Sequence, residues 1–387
     1  MIYIHVPFCR SFCTYCDFYS EIVGGDLTRK GLKTCSPRDK DSVFRQYCDD
    51  LCAEIEARRD EILSTLGVST LYIGGGTPSV LPLECLRRIV EKLDAVVREG
   101  ENAGAAFRTR YEEFTVEVNP EDIVEKGPEY VRGLLELRVN RISMGVQSLD
   151  PGMLRWMNRR HSADGARQAW RIISDTAREE AARSVDLISG VPGMSLGMLE
   201  ATVDEVLEWR PEHISAYQLS IEEGSALAKL IAAGKVSELP DEECRAQYEL
   251  LCSKLREAGY HHYEISNWAL PGHEAVHNSA YWTRQPYVGL GPGAHSLEVH
   301  LRKRPETCVA PIPNGGLLTK TAQNVSTPGQ IRKWNSKSPT GWKEEGREVL
   351  TPEEIREEEL MLTARTDRGP IPESDWFIAD ELVADLI

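Results

Sequence analysis

The stretch YIHVPFCRSFCTYCDFY, residues 3–19, carries three cysteines, Cys9, Cys13 and Cys16, in the spacing CxxxCxxC. Three thiolates this close together can hold one inorganic centre, but a structural zinc site normally takes four protein ligands, and no second CxxC pair follows. An iron–sulfur cubane fits the spacing better, because an iron without a protein ligand can bind a substrate or cofactor directly. Two alternatives stay open at this point: three reduced structural thiols, or a zinc knuckle that His5 completes.

Length and composition indicate a globular protein with one large domain and a smaller one, since 387 residues, 41% of them hydrophobic, can bury a full core. The sequence shows no apolar run of membrane-spanning length, and it begins with a strand-like MIYIHV in place of a basic, apolar signal region. We therefore expect a cytoplasmic location, which also suits an oxygen-labile cluster. The net charge of −16 argues against nucleic acid as the main partner.

Short β-branched runs alternate along the chain with longer segments of helical period, which is the pattern of parallel strands joined by crossover helices. The predicted strands are residues 2–6, 70–73, 114–118, 141–145, 184–188 and 213–219. This pattern predicts an α/β fold, an open (β/α)6 barrel, whose chemistry lies at the C-terminal ends of the strands. Cys48 and Cys52 lie four residues apart on the first helical stripe, and we interpret them as small buried side chains rather than metal ligands.

Glycines and polar residues follow the predicted strands where such a barrel places its site. The second strand leads into GGGT, residues 74–77, where glycines let the backbone approach a ligand and the amides can face a polar group. The other strand ends and connections supply Glu117, Gln147, Arg159 and Asp186. This set suits a ligand that carries amine, carboxylate, ribose and adenine groups.

Eight segments, in this order, resemble the coproporphyrinogen dehydrogenase-like group of radical S-adenosylmethionine (SAM) proteins and, within it, the HemW-type haem chaperones. They are YIHVPFCRSFCTYCDFYS, LYIGGGTPSVL, FTVEVNP, RISMGVQSLD, DLISGVPG, PEHISAYQLSIEEGSAL, GYHHYEISNWALPG and HNSAYW. The resemblance implies a partial (β/α)6 radical SAM barrel with a [4Fe–4S] cluster on Cys9, Cys13 and Cys16. It implies that SAM chelates the open iron and that an electron donor serves the cluster. The positions that match the family's SAM contacts are Tyr3, Tyr15, Gly75, Gly76, Thr77, Glu117, Gln147, Arg159 and Asp186.

The resemblance also divides the chain into the barrel, residues 1–265, and a smaller, mostly helical C-terminal domain, residues 266–387, that covers the barrel mouth. The HNxxYW motif at residues 277–282 belongs to the second domain. Its His277 has two interpretations: a hydrogen-bonded core residue among aromatic neighbours, or a candidate iron ligand for haem. Residues 297–347 match no family motif and are interpreted as a loop-rich insertion.

Two functions agree with this resemblance. The first is a haem chaperone that binds the cluster, SAM and haem, and delivers haem to client haemoproteins. The alternative is an oxygen-independent coproporphyrinogen III oxidase, a dehydrogenase that decarboxylates the propionates of its substrate with a deoxyadenosyl radical. The family's dehydrogenases carry a further cysteine, CxxxCxxCxC, where this chain has Phe18. We therefore expect the chaperone function and no coproporphyrinogen dehydrogenase activity; whether the chain is an enzyme of another kind stays open.

Overall fold

The computed structural model describes residues 1–16, 18–23, 40–65, 69–102, 111–222, 225–300, 329–338 and 341–384. Its strands are β1 Ile2–Val6, β2 Phe8–Cys9, β3 Glu21–Ile22, β4 Thr70–Gly75, β5 Glu113–Val118, β6 Arg141–Gln147, β7 Ala182–Ser189, β8 His213–Gln218, β9 His261–Glu264, β10 Asn267–Ala269, β11 Val288–Leu290, β12 His295–His300, β13 Gly329–Asn335 and β14 Glu344–Leu350. Its α-helices are α1 Lys40–Ala57, α2 Arg59–Ser64, α3 Leu83–Asn102, α4 Pro120–Glu136, α5 Pro151–Trp156, α6 Ala163–Ala177, α7 Leu196–Trp209, α8 Ala226–Ala232, α9 Asp241–Glu257, α10 Val276–Trp282, α11 Pro352–Thr363 and α12 Ala379–Ala384. Two 3-10 helices run over Pro78–Val80 and Glu373–Ile378.

The main sheet has nine strands in the order β11-β1-β4-β5-β6-β7-β8-β10-β9. Neighbouring strands from β11 to β8 are parallel, and β10 is antiparallel to β8. All six strands predicted from the sequence are confirmed, as is the α/β barrel-type fold class. The parallel strands are rich in β-branched residues because both of their faces are covered, one by helices and the other by the barrel interior.

Helices cover the outside of the sheet with apolar stripes. In α3, Leu86, Ile89, Val90, Leu93 and Val97 are buried at helical spacing. Cys48 of α1 is buried in the same core, which agrees with its interpretation as a packing residue, and Cys52 is partly buried.

The chain beyond residue 265 adds to this sheet as well as forming new structure. Strands β10 and β11 belong to the nine-stranded sheet, so the division expected between residues 265 and 266 is not a boundary of the sheet. Strands β12, β13 and β14 form a separate antiparallel sheet. Helices α11 and α12 follow this sheet in the chain. The described C-terminal part is therefore a mixture of helices and strands.

The loop-rich interpretation of residues 297–347 is wrong for the part that the structure describes, because the end of β12, the whole of β13 and the beginning of β14 lie there. Residues 301–328 and 339–340 lie outside the described residues. Charged pairs across the strands replace apolar alternation in this sheet: Arg332 pairs with Glu348, and Lys333 with Glu298. A polar composition therefore concealed strands that are stabilised by neighbours distant in sequence.

A buried ion pair attaches the small sheet to the barrel. Arg58 donates to Glu54 at 3.1 Å and to the Gly289 carbonyl at 2.6 Å. The Glu54 carboxylate also accepts from Gly291 N–H at 2.9 Å and from Asn335 Nδ2 at 2.8 Å. Because these partners lie on α1, β11 and β13, the pair fixes the C-terminal sheet against the first helix. Within the described ranges, no helix combines the length and apolarity of a membrane span.

Candidate functional site

A cavity of about 540 Å³ runs from the C-terminal ends of the parallel strands into the barrel interior. Most of the predicted site residues line it: Cys9, Cys13, Tyr15, Cys16, Gly75, Gly76, Thr77, Glu117, Gln147, Arg159 and Asp186. Tyr3 and His277 do not. The structure therefore brings together residues from the first third and the middle of the chain at one end of the sheet, where the barrel topology predicts a site.

The three cysteines lie at one side of this cavity, partly buried and without a disulfide bond. Cys9 ends β2 and places its Sγ 3.5 Å from Thr77 Oγ1, while Arg159 Nη1 donates to Cys13 Sγ at 3.5 Å. Burial, together with the other two thiols, raises the pKa of Cys16 to about 11. Three thiols that share one surface suit a cationic metal centre, which stabilises all three thiolates.

The cysteine loop is held in place by the end of α5 and the start of α8. Thr14 donates through its hydroxyl to the Trp156 carbonyl at 2.8 Å and through its N–H to Met157 at 3.2 Å. Its carbonyl accepts from Leu227 N–H at 3.0 Å. These backbone contacts position a loop with little regular structure of its own.

His5 is not positioned as a fourth ligand beside the cysteines. Its Nε2 lies 2.8 Å from the Tyr19 carbonyl and its Nδ1 lies 3.0 Å from the Tyr3 hydroxyl, so both ring nitrogens have partners. The ring is also buried. The zinc knuckle that His5 would complete is therefore disfavoured. Tyr3 reaches the site only indirectly, by orienting this imidazole.

Packing within the protein also requires the glycines of the turn after β4, which line the cavity. Gly75 has φ +105°, and a Cβ there would lie 2.5 Å from His5 Nδ1. A Cβ at Gly76 would lie 2.8 Å from the Val6 carbonyl. The Gly75 N–H donates to Glu117 Oε2 at 3.1 Å, so the turn acts on the site by orienting a carboxylate.

Two carboxyl groups at strand ends face the cavity. Tyr72 donates its hydroxyl to Glu117 at 2.6 Å, and Ser143 donates to Asp186 at 3.0 Å. Burial, with the nearby Asp186 charge, raises the pKa of Glu117 to about 7, and burial raises the pKa of Asp186 to about 6. Both shifts show carboxylates whose charge is poorly compensated, so the cavity favours a ligand with positive charge.

Sequence reasoning missed Tyr72 and Ser143 because both lie inside strands rather than at their ends. Only the alternation of polar and apolar residues along β4 and β6 indicates that these side chains face the barrel interior. This alternation is weak in strands that are covered on both faces. Asn119 was also not assigned to the site, although it follows the end of β5 and bonds to Arg159.

Arg159 lies between the cysteines and the strand ends. Its Nη2 donates to Asn119 Oδ1 at 2.7 Å and to the Gly145 carbonyl at 2.8 Å. Its buried Nε has no hydrogen-bond partner among the described residues. Beside it, Gln147 has a left-handed φ of 66°, where the pairing of β6 with β7 is shifted. The guanidinium therefore offers a free donor to an acidic group of a ligand.

The HNxxYW motif lies at the opposite end of the barrel from the cysteines. His277 is 1% exposed, with Nδ1 2.7 Å from Thr70 Oγ1 and Nε2 3.0 Å from the Tyr281 hydroxyl. Thr70 begins β4, and Glu113, which begins β5, accepts the N–H groups of residues 276 and 277. The motif thus closes the N-terminal ends of the strands and does not cover the mouth. Burial lowers the pKa of His277 to about 3, and the structure supports its interpretation as a core residue rather than a haem ligand.

This arrangement, a parallel barrel with three cysteines at the C-terminal ends of its strands, agrees with the match of residues 3–206 to the radical SAM superfamily. The chain is 31% identical to the heme chaperone HemW of Lactococcus lactis over 96% of its own length and 83% of that protein. It is also 31% identical to the heme chaperone HemW of Bacillus subtilis, over 76% of this chain and 69% of that one. The chain therefore belongs to the radical SAM superfamily and, within it, to the family of the heme chaperones HemW.

A solved structure has a similar fold. The coproporphyrinogen III oxidase HemN of Escherichia coli, a radical SAM enzyme, aligns with a TM-score of 0.65 over 100% of this chain and 81% of its own. The identity is 19%, so this likeness supports the fold alone.

Proposed function

We propose that this chain holds a [4Fe–4S] cluster on Cys9, Cys13 and Cys16 and binds SAM in the adjoining cavity. The observation that carries the proposal is the placement of three free thiols at one side of a cavity whose other polar groups come from strand ends. When bound and reduced, the cluster supplies the electron that cleaves the sulfonium of SAM. An electron donor is therefore a partner, and a reducing compartment such as the cytoplasm suits the cluster.

The charges of the cavity fit SAM, which carries a sulfonium, an ammonium and a carboxylate. Glu117 and Asp186 provide the uncompensated carboxylates that a cationic ligand requires. Arg159 provides a buried N–H group that can donate to the carboxylate of SAM. Opposite charges in the same cavity therefore orient the ligand as well as bind it.

The chaperone function is the second part of the proposal: the protein binds haem and delivers it to client haemoproteins. The support is the family to which the chain belongs, together with an apolar rim on the cavity. Phe18 and Tyr217 line the cavity and are 71% and 44% exposed. Exposed rings of this kind suit packing against a flat macrocycle.

Phe18 also argues against the dehydrogenase, since it stands where the family's dehydrogenases carry a further cysteine. Its exposed ring leaves no thiol at this point of the rim. Under this proposal the protein binds haem and does not convert coproporphyrinogen III to protoporphyrinogen.

Anaerobic reconstitution followed by two parallel reactions tests the proposal. In the first, haem is titrated into the protein and the Soret band recorded for the wild type, Phe18→Ser and His277→Ala. Val349→Ser is the matched control, because Val349 is equally exposed at 67% but lies on β14 away from the cavity. In the second, SAM, reductant and coproporphyrinogen III are added and the products are followed.

We expect one saturable haem site, weaker binding in Phe18→Ser, unchanged spectra in His277→Ala and Val349→Ser, and no accumulation of protoporphyrinogen. Protoporphyrinogen formed over many turnovers would establish the dehydrogenase instead. Haem binding without defined stoichiometry would refute the chaperone function. A loss of the Soret band in His277→Ala alone would identify His277 of the HNxxYW motif as the ligand of the haem iron.

A further inference from the structure

A second group of metal-ligating side chains lies outside the cavity, where α9, β9 and the second 3-10 helix meet. It consists of Cys252, His262 and Glu373, and their ligand atoms all lie within 4.8 Å of one another. His262 Nδ1 is 2.9 Å from Glu373 Oε1 and 4.0 Å from Cys252 Sγ. The three residues are absent from the lining of the SAM cavity. They converge on one point although 121 positions separate the first from the last.

The surroundings of His262 hold its ring in one orientation. The ring stacks on Trp268 with centroids 4.1 Å apart and planes inclined by 10°. It also makes a T-shaped contact with Trp376, with centroids 4.6 Å apart. Its Nε2 lies 3.3 Å from the Ile265 carbonyl. Two aromatic contacts and one polar contact therefore fix a buried imidazole whose Nδ1 faces the sulfur and the carboxylate.

The contacts of the two ring nitrogens favour a ligand role. A proton on Nε2 can be donated to the Ile265 carbonyl, and the Nδ1 lone pair then faces Cys252 and Glu373. Histidines that bind metals commonly donate their other ring N–H to a backbone carbonyl in this way.

We propose that Cys252, His262 and Glu373 bind one zinc-class divalent cation. A thiolate, an imidazole and a carboxylate are zinc ligands, and three of them leave the fourth tetrahedral position to water. The thiolate disfavours magnesium and calcium, which take oxygen ligands. Metal binding forms the S–metal bond and releases the thiol proton to solvent, since burial raises the pKa of Cys252 to about 11.

Arg256 is a further partner of this group, beside Tyr248, and is compatible with a metal. Its Nη2 lies 2.6 Å from Glu373 Oε1, and its side chain is largely exposed. Arg256 and His262 contact the same oxygen, Glu373 Oε1. A carboxylate oxygen has two lone pairs and the carboxylate has a second oxygen, so Glu373 can bind a cation while Arg256 stays in contact with it. Such a metal would join the segment that contains the buried Trp376 to the edge strand β9.

Zinc and iron are measured together in the reconstituted holoprotein by mass spectrometry, after gel filtration against a weak chelator. The variants are Cys252→Ser, which removes the sulfur, and Glu373→Gln, which keeps the side-chain shape at a partly exposed position. Cys244→Ser is the matched control, because Cys244 lies on the same helix and its Sγ contacts the Leu239 carbonyl at 3.8 Å. Circular dichroism and iron content verify that each variant folds.

We expect about one zinc ion per chain in the wild type and in Cys244→Ser, as for a site with three protein ligands. In Cys252→Ser and Glu373→Gln the zinc content should fall to background while iron is retained. Equal zinc in all variants would assign the metal to incompletely loaded cluster cysteines and overturn the proposal. Absence of zinc from the wild type would leave a hydrogen bond between His262 and Glu373 in place of a metal site, and would also overturn it.

Discussion

Replacing Glu117 with glutamine should stabilise the protein in a pH-dependent manner when SAM is absent. The carboxyl has an ordinary pKa of 4.5, which burial and the Asp186 charge raise to about 7 in the folded protein. A raised carboxyl pKa contributes stability below the unfolded value, and that stability is lost as the pH rises through the folded value. A shift of this size corresponds to about 3 kcal/mol once the pH exceeds 7.

The glutamine amide keeps the shape of the carboxyl and has no charge to desolvate. Its oxygen can accept from the Gly75 N–H, as the carboxylate does. Its NH2 group can donate to the Tyr72 oxygen, which replaces the hydrogen bond that Tyr72 donates to the carboxylate. The free-energy difference between Glu117→Gln and the wild type should therefore be under about 1 kcal/mol at pH 5 and about 3 kcal/mol at pH 8. For a chain of this length, 3 kcal/mol corresponds to an increase in Tm of about 4 °C.

Differential scanning calorimetry at a fixed scan rate, on samples with equal iron content, measures this difference at pH 5, 6, 7 and 8. Ser143→Ala is a useful comparison, because it removes a hydrogen bond from the cavity without removing a charge. Parallel Tm profiles for Glu117→Gln and the wild type would show that the carboxyl is not destabilised by burial. The argument that the cavity requires a cationic ligand would then lose its main support.

Three further perturbations test the cluster, the SAM site and the attachment of the small sheet. Cys13→Ala should lose the iron of the reconstituted cluster whereas Cys48→Ala keeps it, by iron analysis; an intact cluster in Cys13→Ala would reject the proposed ligands. Asp186→Asn should weaken SAM binding measured by equilibrium dialysis while the iron content stays unchanged; unaltered affinity would place SAM elsewhere. Arg58→Met should lower stability by about 3–5 kcal/mol, because it leaves the buried Glu54 uncompensated; thermal unfolding measures this loss, and a double variant with Glu54→Gln should recover part of it.

The sequence alone determined the features that depend on local pattern. The six parallel strands followed from β-branched runs, whose composition reflects burial on both faces. The three cysteines followed from spacing within one short loop, and Glu117 and Asp186 from their positions near strand ends. The direction of parallel strands is enough to bring such residues to one end of a barrel, without knowledge of any side-chain contact.

Only the tertiary structure decided the features that depend on which distant segments meet. The residue type of His277 fits a haem ligand as well as a core residue, and its contact with Thr70 at the start of β4 favours the core interpretation. Strand β13 has a polar composition and pairs with β12 and β14. Its Arg332 and Lys333 form ion pairs with Glu348 and Glu298 of those two strands. Cys252, His262 and Glu373 have no common spacing, since they belong to three elements, so no sequence pattern can identify a group that the packing of those elements creates.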